Sequence, residues 1–145
     1  MADNPSISVV IPVFNEAESL ERLYSELSQV LEPIANWEII FVDDGSDDDS
    51  LNVLKTIVEN DNRLTIVSFY RNYGKSVALS EGFKLAKGKY VITIDADLQD
   101  DPKEIPNLIS KLEDGYDLVS GWKINRQDPW TKIFPSIIFN FITRI

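Results

Sequence analysis

Asp95 and Asp97 stand one residue apart at the end of the apolar run Tyr90-Val91-Ile92-Thr93-Ile94. A β-strand alternates its side chains, so the two carboxylates point the same way. At the carboxyl end of a strand in an open α/β sheet, where ligands gather, such a pair suits Mg²⁺ or Mn²⁺ held against a phosphorylated substrate. Gln99, two residues on, adds a neutral oxygen. Taken alone, an Asp-x-Asp is more often a pair of solvated strand-end acids, so the rest of the chain must decide.

Two more apolar runs end in polar signatures, Pro12-Val13-Phe14-Asn15-Glu16 and Asp43-Asp44-Gly45-Ser46. In a parallel sheet all three ends face one edge and converge on one crevice. Asp43 or Asp44 would accept hydrogen bonds from a nucleobase or ribose hydroxyls, with Asp95, Asp97 and Gln99 around a cation. No G-x-x-x-x-G-K-[ST] is present, and no G-x-G-x-x-G follows the first run, so a diphosphate bound here is neutralised mainly by metal. Simpler roles compete. Asn15 with Glu18 and Ser46 with Asp49 both read as helix caps, and capping alone accounts for Asp101 before Pro102. Asp47-Asp48-Asp49 reads as a solvated face favoured by a helix dipole. Lys75 follows Gly74 at a helix start, where a cation opposes the dipole; that misfit favours a ligand role.

The elements that must position these groups are legible as rhythm. Runs 7–13, 37–42, 64–69 and 90–94 are rich in β-branched residues and alternate with amphipathic stretches of helical length. The first, second and fourth are continuously apolar, which predicts strands covered on both faces. The fold class is therefore α/β, a mostly parallel sheet flanked by helices, with a fifth strand over 116–120. Gly88 and Gly115 are placed to stop the third and fourth helices.

Composition narrows the chemistry. A chain of 145 residues, 43% hydrophobic, builds one core. A net charge of -10 argues against nucleic acid as a partner. No Cys and no His occur, which removes thiolate sites, imidazole ligands and His bases. Residues 1–5 lack the character of a secretory signal. Residues 133–145 are strongly apolar but short of the ~20 needed to span a bilayer.

Val10-Ile11-Pro12-Val13-Phe14-Asn15-Glu16, Phe41-Val42-Asp43-Asp44-Gly45-Ser46, Arg71-Asn72-Tyr73-Gly74-Lys75 and Asp95-Ala96-Asp97-Leu98-Gln99, in this order and spacing, resemble family 2 glycosyltransferases. The resemblance runs over roughly residues 6–145. Ile105-Pro106 and Gly115-Tyr116-Asp117-Leu118-Val119 point to the polyprenyl-phosphate branch, which includes dolichol-phosphate mannose synthases and bacterial undecaprenyl-phosphate sugar transferases. The resemblance implies a GT-A fold and inverting transfer of a hexose from a UDP-sugar or GDP-sugar to a polyprenyl phosphate. It implies that Pro12, Phe14 and Glu16 line the nucleoside pocket with Val42 and Asp44 beside the base. It also implies that Lys75, Asp95, Ala96 and Asp97 meet the donor and that Asp95, Asp97 and Gln99 hold Mg²⁺ or Mn²⁺. Lys123 stands where relatives often carry Arg and joins Asp95 and Asp97 as a catalytic candidate. Phe14 stands where Tyr is usual.

The same resemblance divides the chain into a partial nucleotide-sugar-binding domain, residues 1–128, and an apolar amphipathic segment, 129–145. That segment either lies on a membrane surface or packs against further protein, another copy of the chain included. The chain reads as a fragment of a longer enzyme at the cytoplasmic face of the cell membrane, poorly active by itself. An anionic phosphate acceptor needs no base; a sugar hydroxyl acceptor, the alternative, would need one. A receiver-like Mg²⁺-binding module is a second alternative, with its motifs in a different order.

Overall fold

The computed structural model describes residues 5–34 and 36–121. Their elements alternate as expected: β1 (Ile7–Val13), α1 (Leu20–Leu31), β2 (Trp37–Asp43), α2 (Ser50–Glu59), β3 (Leu64–Ser68), α3 (Lys75–Leu85) and β4 (Tyr90–Thr93), then a 3₁₀ turn (Pro102–Glu104) running into α4 (Ile105–Glu113). The strands form one parallel sheet in the order β3-β2-β1-β4. Chain direction across the sheet reverses at β1. Successive crossovers carry the chain from β1 outward to β3, and the next returns it to the other side of β1 as β4.

Alternation along β1 and β2 splits the core into two layers. Val9, Ile11 and Val13 of β1 and Ile39 and Phe41 of β2 pack with Leu20, Leu23, Leu27 and Leu31 of α1, Leu54 and Ile57 of α2, and Ile105 and Ile109 of α4. The α1 leucines recur at three- and four-residue spacing, which puts them on one face. On the opposite side of the sheet Val10, Ile40 and Val42 meet α3 through Ala78. This second layer is thin because α3 lies very close to β1; a Cβ added at Gly82 would run into the Val10 side chain.

At the N-terminal edge of the sheet the polar groups tie elements together. Tyr24 of α1 donates to Asp61 at 2.9 Å, and Arg63 donates to both Asp61 and Glu32 while its guanidinium lies 3.7 Å from the Trp37 ring centroid. Ser8 in β1 donates to Glu38 of β2 at 2.6 Å and accepts from the backbone N–H groups of Lys87 and Gly88. Gly88 is needed for that approach: a Cβ there would sit 2.5 Å from the Ser8 nitrogen. Close packing, rather than the helix stop expected, is its reason, since α3 ends earlier at Leu85. Gly115, at φ +103 just past α4, does turn the chain in a conformation that favours glycine.

Two strand expectations do not hold. Residues 116–120 form no strand; Tyr116 is 62% and Leu118 86% exposed, and a strand needs a neighbour to take its backbone groups. β4 is not covered on both faces by the described residues, since Ile92 is buried while Val91 and Thr93 are exposed. Among the described residues no helix is long and apolar enough to cross a membrane. Residues 129–145 lie outside those described.

Candidate active site at the carboxyl edge of the sheet

The loops after the four strands are knitted to one another before they form a site. After β1 the chain turns through Asn15 at φ 57, a left-handed conformation that Asn tolerates. Asn15 donates its backbone N–H to Ser46 at 3.0 Å and accepts from Asp47 N–H at 2.9 Å. Glu16 N–H donates to Ser50 Oγ at 2.8 Å and Ala17 N–H to Asp48 at 3.1 Å. Asn15 and Ser46 are therefore stitches between the first two loops and not the caps their sequence spacing suggests. The helices begin later, after Ser19 and Asp49. Asp101 does cap, accepting from Lys103 N–H at 3.0 Å.

The second loop holds the third. Asp43, 1% exposed, accepts from Ser46 N–H and from Ser68 Oγ. Asp44, 3% exposed, accepts from the backbone N–H groups of Tyr73 and Gly74 at 2.8 and 2.9 Å. Gly45, at φ +72, lies flat against this same segment, with no room for a Cβ beside the backbone of Arg71 and Asn72. These contacts fix where α3 starts and hence where Lys75 projects. Lys75 Nζ reaches Asp95 Oδ1 at 2.5 Å. The fourth loop turns through Leu98 at φ 61, with Asp97 Oδ1 accepting from Gln99 N–H at 3.0 Å and Asp95 N–H donating to Asp100.

Between the ends of β1 and β4, where the strand order reverses, lies a cavity of about 280 Å³. Open α/β sheets bind ligands at that switch point. Its wall includes Pro12, Phe14, Glu16, Asp44, Lys75, Asp95, Ala96 and Asp97 among the residues singled out from sequence. Asn72 and Gly74 join them. Their signal was present in the segment Arg71-Asn72-Tyr73-Gly74-Lys75, but nothing in the residue types assigned them a role. Val42 is not in the wall; it is fully buried beneath, packed toward α3. Gln99 is exposed and off the wall, meeting Asp97 through its backbone. Lys123 lies outside the described residues.

Among the described residues the wall carries Glu16, Asp44, Asp95 and Asp97 against one cation, Lys75. Burial pushes the Glu16 carboxyl above its ordinary 4.5, Asp97 pushes it further, Asp48 and Asp95 add to this, and the Ser19 hydroxyl opposes it. A site with this excess of negative charge attracts cations. The described residues present no cluster of three or more His, Cys, Asp or Glu side chains arranged for a metal. The donor set nevertheless fits Mg²⁺ or Mn²⁺ entering with a diphosphate, because such ions use one or two carboxylates and complete their shell with phosphate oxygens and water. A shallower cavity of about 690 Å³ beside Tyr24, Glu32, Asp61 and Arg63 lies at the opposite edge, where the polar groups bond one another.

The sequence profile of glycosyl transferase family 2 matches residues 8–145. The chain belongs to this family. It is 45% identical over 141 residues to the undecaprenyl-phosphate 4-deoxy-4-formamido-L-arabinose transferase of Serratia proteamaculans, a match covering 94% of this chain and 42% of that protein. It is 43% identical over 135 residues to an uncharacterized glycosyltransferase of Synechocystis, again covering 42% of the relative and 92% of this chain. The family 2 chain thus spans about two fifths of the length of these relatives. In three dimensions it is similar to the mannosyltransferase PcManGT of Pyrobaculum calidifontis in complex with GDP-Man and Mn²⁺, with a TM-score of 0.68 and 26% identity over 79% of this chain and 34% of that one. S. aureus TarS in complex with UDP-GlcNAc, at a TM-score of 0.59 and 22% identity over 86% of this chain and 37% of that one, shares the fold. The fold is GT-A, as the sequence motifs implied.

Proposed function

We propose that this chain is the donor-binding part of an inverting, metal-dependent glycosyltransferase that moves a hexose from a UDP-sugar or GDP-sugar to a polyprenyl phosphate. The observation that carries the reading is the juxtaposition of Asp95 and Asp97 with Glu16 and Lys75 in one cavity at the sheet's switch point. Relatives named as undecaprenyl-phosphate transferases support the acceptor, and a neighbour holding GDP-Man and Mn²⁺ supports the donor class and the metal.

Expelling a nucleoside diphosphate from an anomeric carbon builds negative charge on the leaving oxygens and positive charge on the sugar ring. Asp95 and Asp97 would hold the divalent cation, and Gln99, exposed outside the cavity wall, would add an oxygen only by turning its side chain inward. The cation supplies Lewis-acid stabilisation of the departing diphosphate. Lys75 adds a positive charge at the diphosphate, and Lys123 serves the diphosphate or the acceptor phosphate. Pro12, Phe14 and Glu16 shape the nucleoside pocket. Asp44 keeps the loop before α3 in place and presents its remaining lone pairs to the nucleoside, with Val42 supporting from below. The acceptor phosphate is already anionic near neutral pH, so the attacking oxygen needs no base, which suits a chain without His. The full enzyme works at the cytoplasmic face of the membrane, where a lipid-linked acceptor resides.

A thermal-shift panel of nucleotide sugars, each with and without Mn²⁺, tests the donor. A ligand bound only by the folded chain raises the unfolding midpoint. The proposal expects a rise with one nucleotide series, UDP or GDP, in the presence of Mn²⁺. No rise with any member of either series contradicts it.

A further inference from the structure

Among the described residues Lys75 is the cation in the cavity wall, and it is already engaged. Its ammonium bonds Asp95, one of the two acids assigned to the metal, while its own side chain is 57% exposed and that of Asp95 is 32% exposed. The root of the lysine is fixed. Asp44 holds the N–H groups of Tyr73 and Gly74, and Gly74 adopts φ +97 at the cap of α3. The stem beyond that root is four flexible carbons in an open cavity, able to swing without moving the helix.

We propose that Lys75 is an exchangeable counter-ion, which neutralises Asp95 when the site holds no donor and transfers to the diphosphate when donor and divalent cation enter together. This rests on the donor-site reading above and adds an order of events to it. A divalent ion approaching Asp95 repels the ammonium and competes for the same oxygen with twice its charge. Displaced alone, Lys75 returns to the first turn of α3, where the helix dipole disfavours a cation. Displaced beside a diphosphate, it gains two or more anionic oxygens and the dipole misfit is relieved. Metal alone therefore binds at the expense of an ion pair, whereas metal with nucleotide replaces that pair by another. Each ligand strengthens the other by the same factor. The arrangement also discourages the acidic site from holding a bare metal ion.

Electron paramagnetic resonance of Mn²⁺ reads this directly, because the six-line signal of the free ion weakens on binding. Mn²⁺ is titrated into the parent chain, Lys75→Met and Lys75→Gln, first alone and then with UDP and GDP. Without the ammonium, Mn²⁺ alone should bind about fivefold more tightly, the scale of one exposed ion pair. Nucleotide in saturating Mn²⁺ should bind at least about tenfold more weakly, the scale of a hydrogen bond to a charged group. Lys75→Arg, which keeps the charge, should hold Mn²⁺ as weakly as the parent does. Opposite signs for the two shifts are the signature, since general damage to the site lowers both affinities. Mn²⁺ affinity unchanged or reduced in both neutral variants overturns the exchange, as does an unchanged nucleotide affinity. If the parent binds neither nucleotide at saturating Mn²⁺, the donor-site reading falls as well; if it binds one and the signs agree, only the exchange falls.

Discussion

At the scale of single residues, the site depends on side chains already engaged in holding its loops together. Asp44 looks in sequence like a nucleoside contact, yet two backbone N–H groups already bond its carboxylate. Asp44→Ala leaves both donors without it, and an unsatisfied buried polar group costs roughly 1–3 kcal/mol. Denaturant titration should show a loss of that size, accompanied by weaker nucleotide binding because α3 no longer starts in place. Gly45→Ala adds a Cβ where the backbone of Arg71 and Asn72 leaves no space, at a positive φ. Forcing a non-glycine residue into such a conformation costs about 1–3 kcal/mol before the collision is counted. The same titration should therefore rank Gly45→Ala at least as damaging as Asp44→Ala. Neither effect is visible in residue types, because a carboxylate's partner and the space around a glycine depend on chain segments nearly thirty residues away.

At the scale of elements, the parallel sheet was legible because β-branched runs and helical stretches alternate, and the buried faces of β1, β2 and α1 follow from period 2 and period 3.6. The chemistry-bearing strand ends were legible for the same reason. What sequence could not show was how loops meet. Asn15 and Ser46 have cap spacing, but a hydrogen bond between the two loops takes precedence. Residues 116–120 have strand composition, but composition supplies no neighbour to pair with. Gly82 makes the contest between local and tertiary effects measurable. Gly→Ala inside a helix ordinarily stabilises by about 1 kcal/mol. Overpacking a well-filled contact costs about 1–3 kcal/mol, and the β-branched Val10 opposite Gly82 has little freedom to yield. Gly82→Ala should thus lower the unfolding midpoint; a rise would mean that α3 moves off β1 without penalty.

At the scale of the whole molecule, the two edges of the sheet divide the work. The amino edge is cross-braced through Tyr24, Asp61, Arg63 and Glu32, and the cavity at the carboxyl edge gathers four acids around one lysine among the described residues. Asp61 at the amino edge and Glu16 at the carboxyl edge respond to pH with opposite sign. Hydrogen bonds from the Arg63 guanidinium, then from its backbone N–H and from Tyr24, hold the Asp61 carboxyl below its ordinary 3.8 against the opposing effect of burial. A depressed folded value gives stability that is present above about pH 4 and lost as pH falls through the folded value. Glu16, raised above 4.5 chiefly by burial and then by Asp97, does the reverse: its contribution is fullest below 4.5 and fades as pH rises through the folded value. Urea titrations across this range should show that Asp61→Asn flattens the acid limb, whereas Glu16→Gln raises stability near neutral pH. That gain at neutral pH marks a site where function opposes stability, since Asp97, Asp48 and Asp95 all disfavour the charged form of the half-buried Glu16. On the proposed function, the cation and a nucleotide arrive there together. Calorimetric titration of UDP and GDP into the chain, with and without Mn²⁺ and repeated on Asp97→Ala, tests it most directly. One nucleotide should bind measurably only with Mn²⁺, and Asp97→Ala should abolish that dependence along with most of the affinity; binding that is equal without Mn²⁺ and indifferent to Asp97→Ala would contradict the account.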